Sequence, residues 1–237
     1  MRIAVATPVR GTRLMAPVTV GYSESLRKLS RRMQVDEIAA AITFGADVVR
    51  ARNRIAALVL REFPKITHVL WWDDDEWPED VDIVGRMIAT GEDFIAAPYT
   101  NKVPPIRWHH QSKTPRELDA RGLLEVDYCA LGFTLTSISC LRKVAMCSRR
   151  YTDYRADDPN PKVVANMFGQ LYCGPGDETD SLLSEDYSFC ERWCGLGGRI
   201  WIDGRAGNIV EHVGQKASSA RDMVGGVASP GEGTLVA

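Results

Sequence analysis

Short apolar runs alternate with amphipathic helical patterns along most of the chain. Runs of strand length occur at residues 2–8, 34–43, 69–72, 93–98, 123–129, 131–138 and 199–203. Apolar positions recur at helical spacing at residues 22–33, 47–62, 80–90 and 140–147 and in a segment that begins at Ser184. Apolar strands that alternate with helices are typical of an α/β domain built on a mostly parallel sheet.

Three segments lack a clear period. Residues 101–122 are polar and read as one long loop, and residues 149–181 read as loop or hairpin. Long loops in compact domains are often binding loops or lids, so we expect ligand choice to depend on these two segments. The last stretch, 214–237, is rich in Gly, Ser and Ala and is predicted to be mobile. The pattern therefore predicts one domain over residues 1–214 and a flexible tail over 215–237.

The composition is that of an ordinary soluble globular protein. The 237 residues are 45% hydrophobic and 25% charged, and the net charge is −2, which does not favour a protein that coats nucleic acid. No apolar run approaches the length of a membrane span, and the N-terminus becomes polar too soon for a signal peptide. The six cysteines form no C-x-x-C pair. We therefore expect reduced thiols and a cytoplasmic location.

The segment with the clearest chemical content follows the apolar run at 69–72. Asp73, Asp74 and Asp75 stand together there and are followed by Glu76. In open α/β sheets ligands bind just beyond the strand ends, and adjacent carboxylates repel one another unless a cation lies among them. Oxygen ligands of this kind suit Mg²⁺, Mn²⁺ or Ca²⁺. If the segment is extended, Asp73 and Asp75 share one face and Asp74 takes the other.

Each of these features also has a purely structural explanation. The acidic segment can be a solvated turn in which Asp75 or Asp80 caps the helix at 80–90. Arg52 and Asn53 in the helix at 47–62 either face solvent or reach a phosphate or nucleotide at the edge of the sheet. Glu185 and Asp186 follow Ser184, a good N-cap, and acids are common in the first turn because they interact favourably with the helix dipole.

The order of these motifs resembles that of a known enzyme family. Arg52-Asn53, the pair Asp73-x-Asp75, the Gly-centred strand at 131–133, S-E-D-Y at 184–187, G-G-R-I-W-I-D at 197–203 and a late His follow one another along the chain. This series is similar to that of GT-A nucleotide-sugar glycosyltransferases, in particular small family-2-like enzymes of bacteria and phages. The resemblance runs from about residue 3 to 214. It implies a Rossmann-like α/β/α sandwich with a mostly parallel central sheet and a small antiparallel addition.

The resemblance also implies roles for individual residues. Asp75 would be the direct ligand of Mn²⁺ or Mg²⁺, Asp73 would lie toward the ribose or the metal, and His212 would complete the metal shell. Asp186, or its neighbour Glu185, would be the catalytic carboxylate that faces the acceptor hydroxyl and takes its proton. The residues expected at the nucleotide sugar are Thr7, Pro8, Arg52, Asn53, Asp73, Asp74, Trp77 and Lys102.

The implied activity is transfer of a hexose from a UDP- or GDP-linked donor to an acceptor hydroxyl. The acceptor class stays open between a glycan, a lipid, a protein and a modified nucleobase. One alternative is a non-catalytic binding or structural protein with a degenerate transferase fold. A nucleotidyltransferase is the other alternative, but the segment after the first strand, PVRGTR, holds only one Gly where a triphosphate-binding loop is usually glycine-rich.

Overall fold

The computed structural model describes residues 2–9, 37–44, 47–78, 80, 82–101, 105, 107–154, 161–174, 176, 180–205 and 210–212. The strands are β1 (Arg2–Val9), β2 (Glu37–Phe44), β3 (His68–Trp72), β4 (Glu76–Pro78), β5 (Phe94–Ala96), β6 (His110–Gln111), β7 (Leu123–Val126), β8 (Tyr128–Cys129), β9 (Phe133–Ser137), β10 (Arg150–Asp153), β11 (Lys162–Ala165), β12 (Tyr172–Cys173), β13 (Ser181–Leu182), β14 (Ile200–Asp203) and β15 (Val210–His212). The helices are α1 (Val48–Glu62), α2 (Asp82–Ala89), α3 (Ile138–Cys147) and α4 (Glu185–Gly195). The predicted helix at 22–33 and the tail at 215–237 lie outside the described residues.

Within the described residues, a seven-stranded sheet in the order β2-β1-β3-β9-β5-β14-β7 forms the centre of the fold. The pairs β1–β2, β1–β3 and β5–β14 are parallel, whereas β9 and β7 are antiparallel to their neighbours. Five of the seven strands therefore run in one direction. Four two-stranded additions, β10–β11, β12–β13, β15–β4 and β6–β8, are all antiparallel. The prediction of an α/β fold with a mostly parallel central sheet and small antiparallel additions is confirmed.

The central strands are buried on both faces. In β3, Val69 and Trp71 belong to the apolar cluster on one face of the sheet, and Leu70 and Trp72 belong to the cluster on the other. Both tryptophans are almost fully buried. This two-sided burial explains why the strand is uniformly apolar in sequence instead of alternating.

The helices cover both faces of the sheet. Helices α1, α3 and α4 contribute buried residues to the cluster on one face, and α2 contributes Ile83, Val84 and Met87 to the other. The predicted cap of α4 is confirmed, because the Ser184 side chain accepts a hydrogen bond from the Tyr187 amide at 3.3 Å. Among the described helices, none has the length and apolar composition required to cross a bilayer.

Candidate functional site

A cleft of about 570 Å³ opens at the edge of the sheet where the parallel strands end. The end of β1, the segments after β3 and β5 and the segment before the antiparallel strand β9 all reach this edge. The start of α4 joins them, because the Leu131 amide donates a 3.4 Å hydrogen bond to Oδ2 of Asp186. The lining residues are Pro8, Val9, Val48, Ala51, Arg52, Asp73, Asp74, Asp75, Glu76, Tyr99, Asn101, His109, Ala130, Ser184, Glu185, Asp186 and Tyr187.

The acidic segment lines this cleft, but its backbone is not extended. Strand β3 ends at Trp72, and the Glu76 amide donates to the Asp73 carbonyl at 3.2 Å, which closes a turn over Asp74 and Asp75. The expectation that Asp74 faces away from its two neighbours is therefore wrong, and all three aspartates line the cleft. The alternation of side chains that it assumed applies only to extended backbone.

A buried arginine faces the first of these aspartates. Arg52 is 2% exposed, and its Nη2 donates to Oδ1 and Oδ2 of Asp73 at 3.1 and 3.0 Å. Nε and Nη1 of Arg52 are also buried, and neither has a hydrogen-bond partner among the described residues. Burial lowers the pKa of Arg52, but Asp73, Asp186 and Glu185 raise it more, so the pKa lies above its usual value. Arg52 is thus charged and has donors to spare at the wall of the cleft.

Burial raises the pKa of Asp73 to about 6. Arg52 opposes this rise, whereas the carboxylates of Asp186, Asp75 and Asp74 add to it. The described lining residues comprise six carboxylates and a single arginine. A cleft with this excess of negative charge favours a bound cation, because like charges held together raise the free energy of the ionised forms.

A second pair of acids belongs to the first turn of α4. Burial, followed by the neighbouring Asp186 carboxyl, raises the pKa of Glu185 to about 7, and Arg52 opposes the shift. The buried Oδ1 of Asp186 has no hydrogen-bond partner within the part of the chain that the structure describes. A buried acceptor of this kind is costly unless a ligand or water supplies a donor.

Tyr99 forms the wall between the two acidic groups. It is 5% exposed, and its hydroxyl oxygen accepts a hydrogen bond from the Gly132 amide at 2.8 Å. Burial, with the charges of Glu76, Asp73 and Asp186, raises the pKa of Tyr99 well above its usual value. A Cβ on Gly132 would lie 2.5 Å from the Tyr99 hydroxyl oxygen. Glycine at position 132 therefore leaves the space that Tyr99 occupies.

The structure does not bring every predicted residue into the cleft. Thr7 is fully buried in β1 beside Pro8, which does line the cleft. Asn53 is buried on the other side of α1, where its Nδ2 donates to Oδ1 of Asn166 at 2.9 Å and its Oδ1 accepts from the Phe168 amide at 3.1 Å. Trp77 is half-buried in β4 and is not a lining residue.

Two further candidates are described in part or not at all. Lys102 lies outside the described residues. His212 is opposite Glu76 in the pairing of β15 with β4, so the backbone register places it next to the acidic turn. Its side chain is outside the described part of the structure.

Some lining residues were not among the predicted site residues. Tyr99, Asn101 and His109 line the cleft, and the rings of Tyr99 and His109 lie 5.0 Å apart. Tyr99 and Asn101 follow the apolar run at 93–98, so the rule that ligands bind beyond strand ends would have indicated them. His109 reaches the cleft through the pairing of Thr100 with Trp108, which no local pattern indicates.

The donor set fits a hard divalent cation only in part. Carboxylate oxygens are the ligands that Mg²⁺ and Mn²⁺ prefer. Both oxygens of Asp73 already accept hydrogen bonds from Arg52. Among the described residues, no group of three or more His, Cys, Asp and Glu side chains is suited to hold one metal ion. The described side chains would therefore supply part of a coordination shell, and a bound ligand would have to supply the rest.

Comparison with known proteins gives a similarity of fold. No protein-family model matches the sequence, and no curated protein matches it. The crystal structure of A197 from STIV is similar over 91% of this chain and 87% of that one, with a TM-score of 0.56 and 17% identity. A glycosyltransferase involved in the glycosylation of the major capsid of PBCV-1 matches over 60% of this chain and 62% of that one, with a TM-score of 0.36 and 8% identity. The chain thus shares the overall fold of A197 from STIV, and at this identity the likeness concerns the fold alone.

Proposed function

We propose that the protein is a metal-dependent glycosyltransferase of the GT-A type, which moves a sugar from a UDP- or GDP-linked donor to an acceptor hydroxyl. The observation that carries this proposal is the meeting of two separate acidic groups in one cleft, the turn at 73–75 and the pair Glu185–Asp186. The reaction needs one such group near the leaving diphosphate and another near the attacking hydroxyl.

One end of the cleft suits a nucleoside diphosphate. Pro8 and Val9 at the end of β1, with Val48 and Ala51 of α1, supply an apolar lining. Arg52 adds buried N–H donors next to this lining, and a guanidinium is a strong partner for phosphate oxygens. The volume of about 570 Å³ lies within the usual range of small-molecule sites.

The acidic turn would hold the cation. Because Arg52 already occupies the oxygens of Asp73, Asp75 is the principal protein ligand in this proposal, with His212 as the second. When bound there together with the donor, Mn²⁺ or Mg²⁺ would stabilise the negative charge that develops on the leaving diphosphate. Asp73, held by Arg52, would keep the turn in place.

The acid pair of α4 would act on the acceptor. Transfer breaks the bond between the anomeric carbon and the diphosphate oxygen, which keeps the electron pair, and forms a bond between that carbon and the acceptor oxygen. The acceptor proton passes to the Glu185–Asp186 pair. A carboxyl with a pKa of about 7, as at Glu185, is well matched to proton transfer near neutral pH. The buried Oδ1 of Asp186 supplies an acceptor for the hydroxyl proton.

The test is thermal unfolding with UDP, GDP and their sugar conjugates, in Mn²⁺ and in EDTA. A ligand that binds only the native state raises the melting temperature by mass action. We expect a Mn²⁺-dependent rise in melting temperature with either the uracil or the guanine nucleotides. The Asp75→Asn variant should not show this rise. Glu117→Gln, a change at an exposed acid outside the cleft, is the matched control and should keep it.

Two results would overturn the proposal. Absence of any shift with UDP, GDP and their conjugates at millimolar concentration would favour a non-catalytic protein with a transferase-like fold. A shift that Asp75→Asn leaves intact would remove the acidic turn from the metal site.

A further inference from the structure

We infer that Tyr187 is the surface on which the acceptor rests, and that the acceptor is an uncharged sugar ring. This inference rests on the proposed function and names the substrate class for the second half of the reaction. It depends on the position of Tyr187 in the cleft, on the way Tyr128 supports it, and on the charges around it.

Tyr187 lies where an acceptor must lie. It follows Asp186 in the first turn of α4, lines the same cleft, and is half-buried. Its hydroxyl makes no hydrogen bond to any residue that the structure describes. A tyrosine next to the acid pair thus lines the cleft with a half-buried ring and with a hydroxyl that no described residue binds.

A second tyrosine holds this ring in place. The rings of Tyr187 and Tyr128 are stacked, with centroids 4.9 Å apart and an interplanar angle of 20°. Tyr128 is itself fixed, because its hydroxyl donates to Oε2 of Glu191 at 2.7 Å and Lys113 Nζ lies 5.2 Å from its ring centroid. Stacking against a buried, hydrogen-bonded ring restricts the motion of Tyr187, which lowers the entropy lost when a ligand binds.

The ring of Tyr187 and the acid pair beside it match the two kinds of surface that a pyranose presents. The C–H face of a sugar packs on an aromatic ring, and its hydroxyls require acceptors and donors at the rim. Oδ1 of Asp186, the residue next to Tyr187 in the lining, is an acceptor with no hydrogen-bond partner among the described residues.

The charge of the cleft argues against other acceptor classes. The described lining residues include six carboxyl groups and one arginine, and the proposed function assigns the spare donors of that arginine to the donor diphosphate. A nucleic acid or an anionic lipid would bring phosphates into this negative field, and no described lining residue other than Arg52 carries a full positive charge to receive them. A neutral glycoside has no such cost.

The experiment measures transfer from the nucleotide sugar that stabilises the protein most. The acceptor probes are neutral p-nitrophenyl glycosides of glucose, galactose, mannose and N-acetylglucosamine, the 6-phosphates of the same sugars, and a single-stranded oligodeoxynucleotide. We expect at least one neutral glycoside to accept sugar, and we expect the phosphorylated sugar and the oligonucleotide to be poorer acceptors by tenfold or more in kcat/KM.

Four variants test the tyrosine. Tyr187→Ala should raise the acceptor KM roughly tenfold without changing the Kd for the nucleoside diphosphate, because an aromatic contact of this kind is worth about one power of ten in affinity. Tyr187→Phe keeps the ring and should stay within about threefold of the unmodified protein. Tyr128→Leu removes the support and should also raise the acceptor KM. Tyr172→Ala removes a tyrosine that is 73% exposed and lies outside the cleft lining, and it should change nothing.

The outcomes separate this inference from the proposed function. If no nucleotide binds, the proposed function fails and this inference fails with it. If a nucleotide binds in a Mn²⁺-dependent way, but Tyr187→Ala leaves the acceptor KM unchanged, only this inference is wrong. It is equally wrong if the oligonucleotide or the phosphorylated sugars are used as well as the neutral glycosides, or if no neutral glycoside accepts sugar.

Discussion

Arg52 donates two hydrogen bonds from one nitrogen, Nη2, to both carboxylate oxygens of Asp73. The pair joins the interior of α1 to the turn after β3, and Arg52 is 2% exposed whereas Asp73 is 26% exposed. The guanidinium thus lies almost entirely inside the protein, and the carboxylate lies at the wall of the cleft. This pair connects the stability of the fold to the chemistry of the site.

Loss of the arginine should destabilise the protein. Arg52→Met leaves Asp73 among other carboxylates without its cation. We expect a loss of about 2–3 kcal/mol in the free energy of unfolding. This is less than the cost of breaking a fully buried ion pair, because Asp73 is partly exposed. Urea unfolding measures this. Arg61→Gln removes a 43% exposed arginine whose ion pair within the described part of the chain is with its neighbour Glu62, and this change should cost less than about 1 kcal/mol. If the double variant Arg52→Met with Asp73→Asn is no more stable than Arg52→Met alone, the stranded charge is not the cause.

Gly132 should be intolerant of even a methyl group. The added Cβ would meet the Tyr99 hydroxyl oxygen at 2.5 Å and Cγ of Glu76 at 3.1 Å, so Tyr99 must move. We expect Gly132→Ala to cost roughly 1–3 kcal/mol in unfolding free energy and to weaken nucleotide binding. At Gly195, where a Cβ has no atom within 4 Å, the same change should be neutral or stabilising. Equal melting temperatures for the two variants would contradict this account of Tyr99.

Glu185 should make stability depend on pH. Its pKa is raised from 4.5 to about 7 in the folded protein, so between these values the folded state binds a proton that the unfolded state does not. The contribution of Glu185 to stability is therefore present below pH 4.5 and is lost as the pH rises to 7.

His110 changes stability with pH in the opposite direction, because burial lowers its pKa from 6.5 to about 4. The measurement is accordingly a difference: relative to the unmodified protein, Glu185→Gln should gain stability as the pH rises from 4.5 to 7. A difference that is flat over this range would show that Glu185 titrates normally.

Asn53 should matter for stability and not for nucleotide binding. Both ends of its amide are used by the segment at 166–168, and Asn53→Leu would leave the Phe168 amide and the Asn166 side chain without partners. We expect a loss of about 2 kcal/mol in unfolding free energy. The Kd for the nucleoside diphosphate, measured by calorimetry below the melting temperature, should change less than threefold. A large loss of affinity in a folded Asn53→Leu protein would support the role in nucleotide binding that the motif order suggests.

The role of the pair Glu185–Asp186 can be distinguished from that of the acidic turn by measuring both sugar transfer and the Mn²⁺-dependent thermal shift. Asp186→Asn should reduce transfer by a factor of at least about 100, because in the proposed reaction the Asp186 carboxylate takes the acceptor proton, yet it should keep the Mn²⁺-dependent thermal shift. Asp75→Asn should lose both the transfer activity and the thermal shift. If Asp186→Asn loses the thermal shift instead, the two acidic groups serve a single binding site.

Local sequence patterns predict the main strands and helices of the described fold and the acidic character of the cleft. The buried strand β3, the helix cap at Ser184 and the order of the acidic motifs are all properties of a few adjacent residues, because side-chain burial and helix capping act over short distances along the chain. Which of these groups contact one another depends on tertiary packing. Arg52 and Asp73 are 21 residues apart, Gly132 and Tyr99 are 33 apart, and Leu131 and Asp186 are 55 apart. Their contacts depend on the pairing of distant strands and on the packing of helices, and no local pattern encodes that register. For the same reason, the sequence did not indicate that Asn53 binds Asn166 instead of lining the cleft, or that Tyr187 stacks on Tyr128.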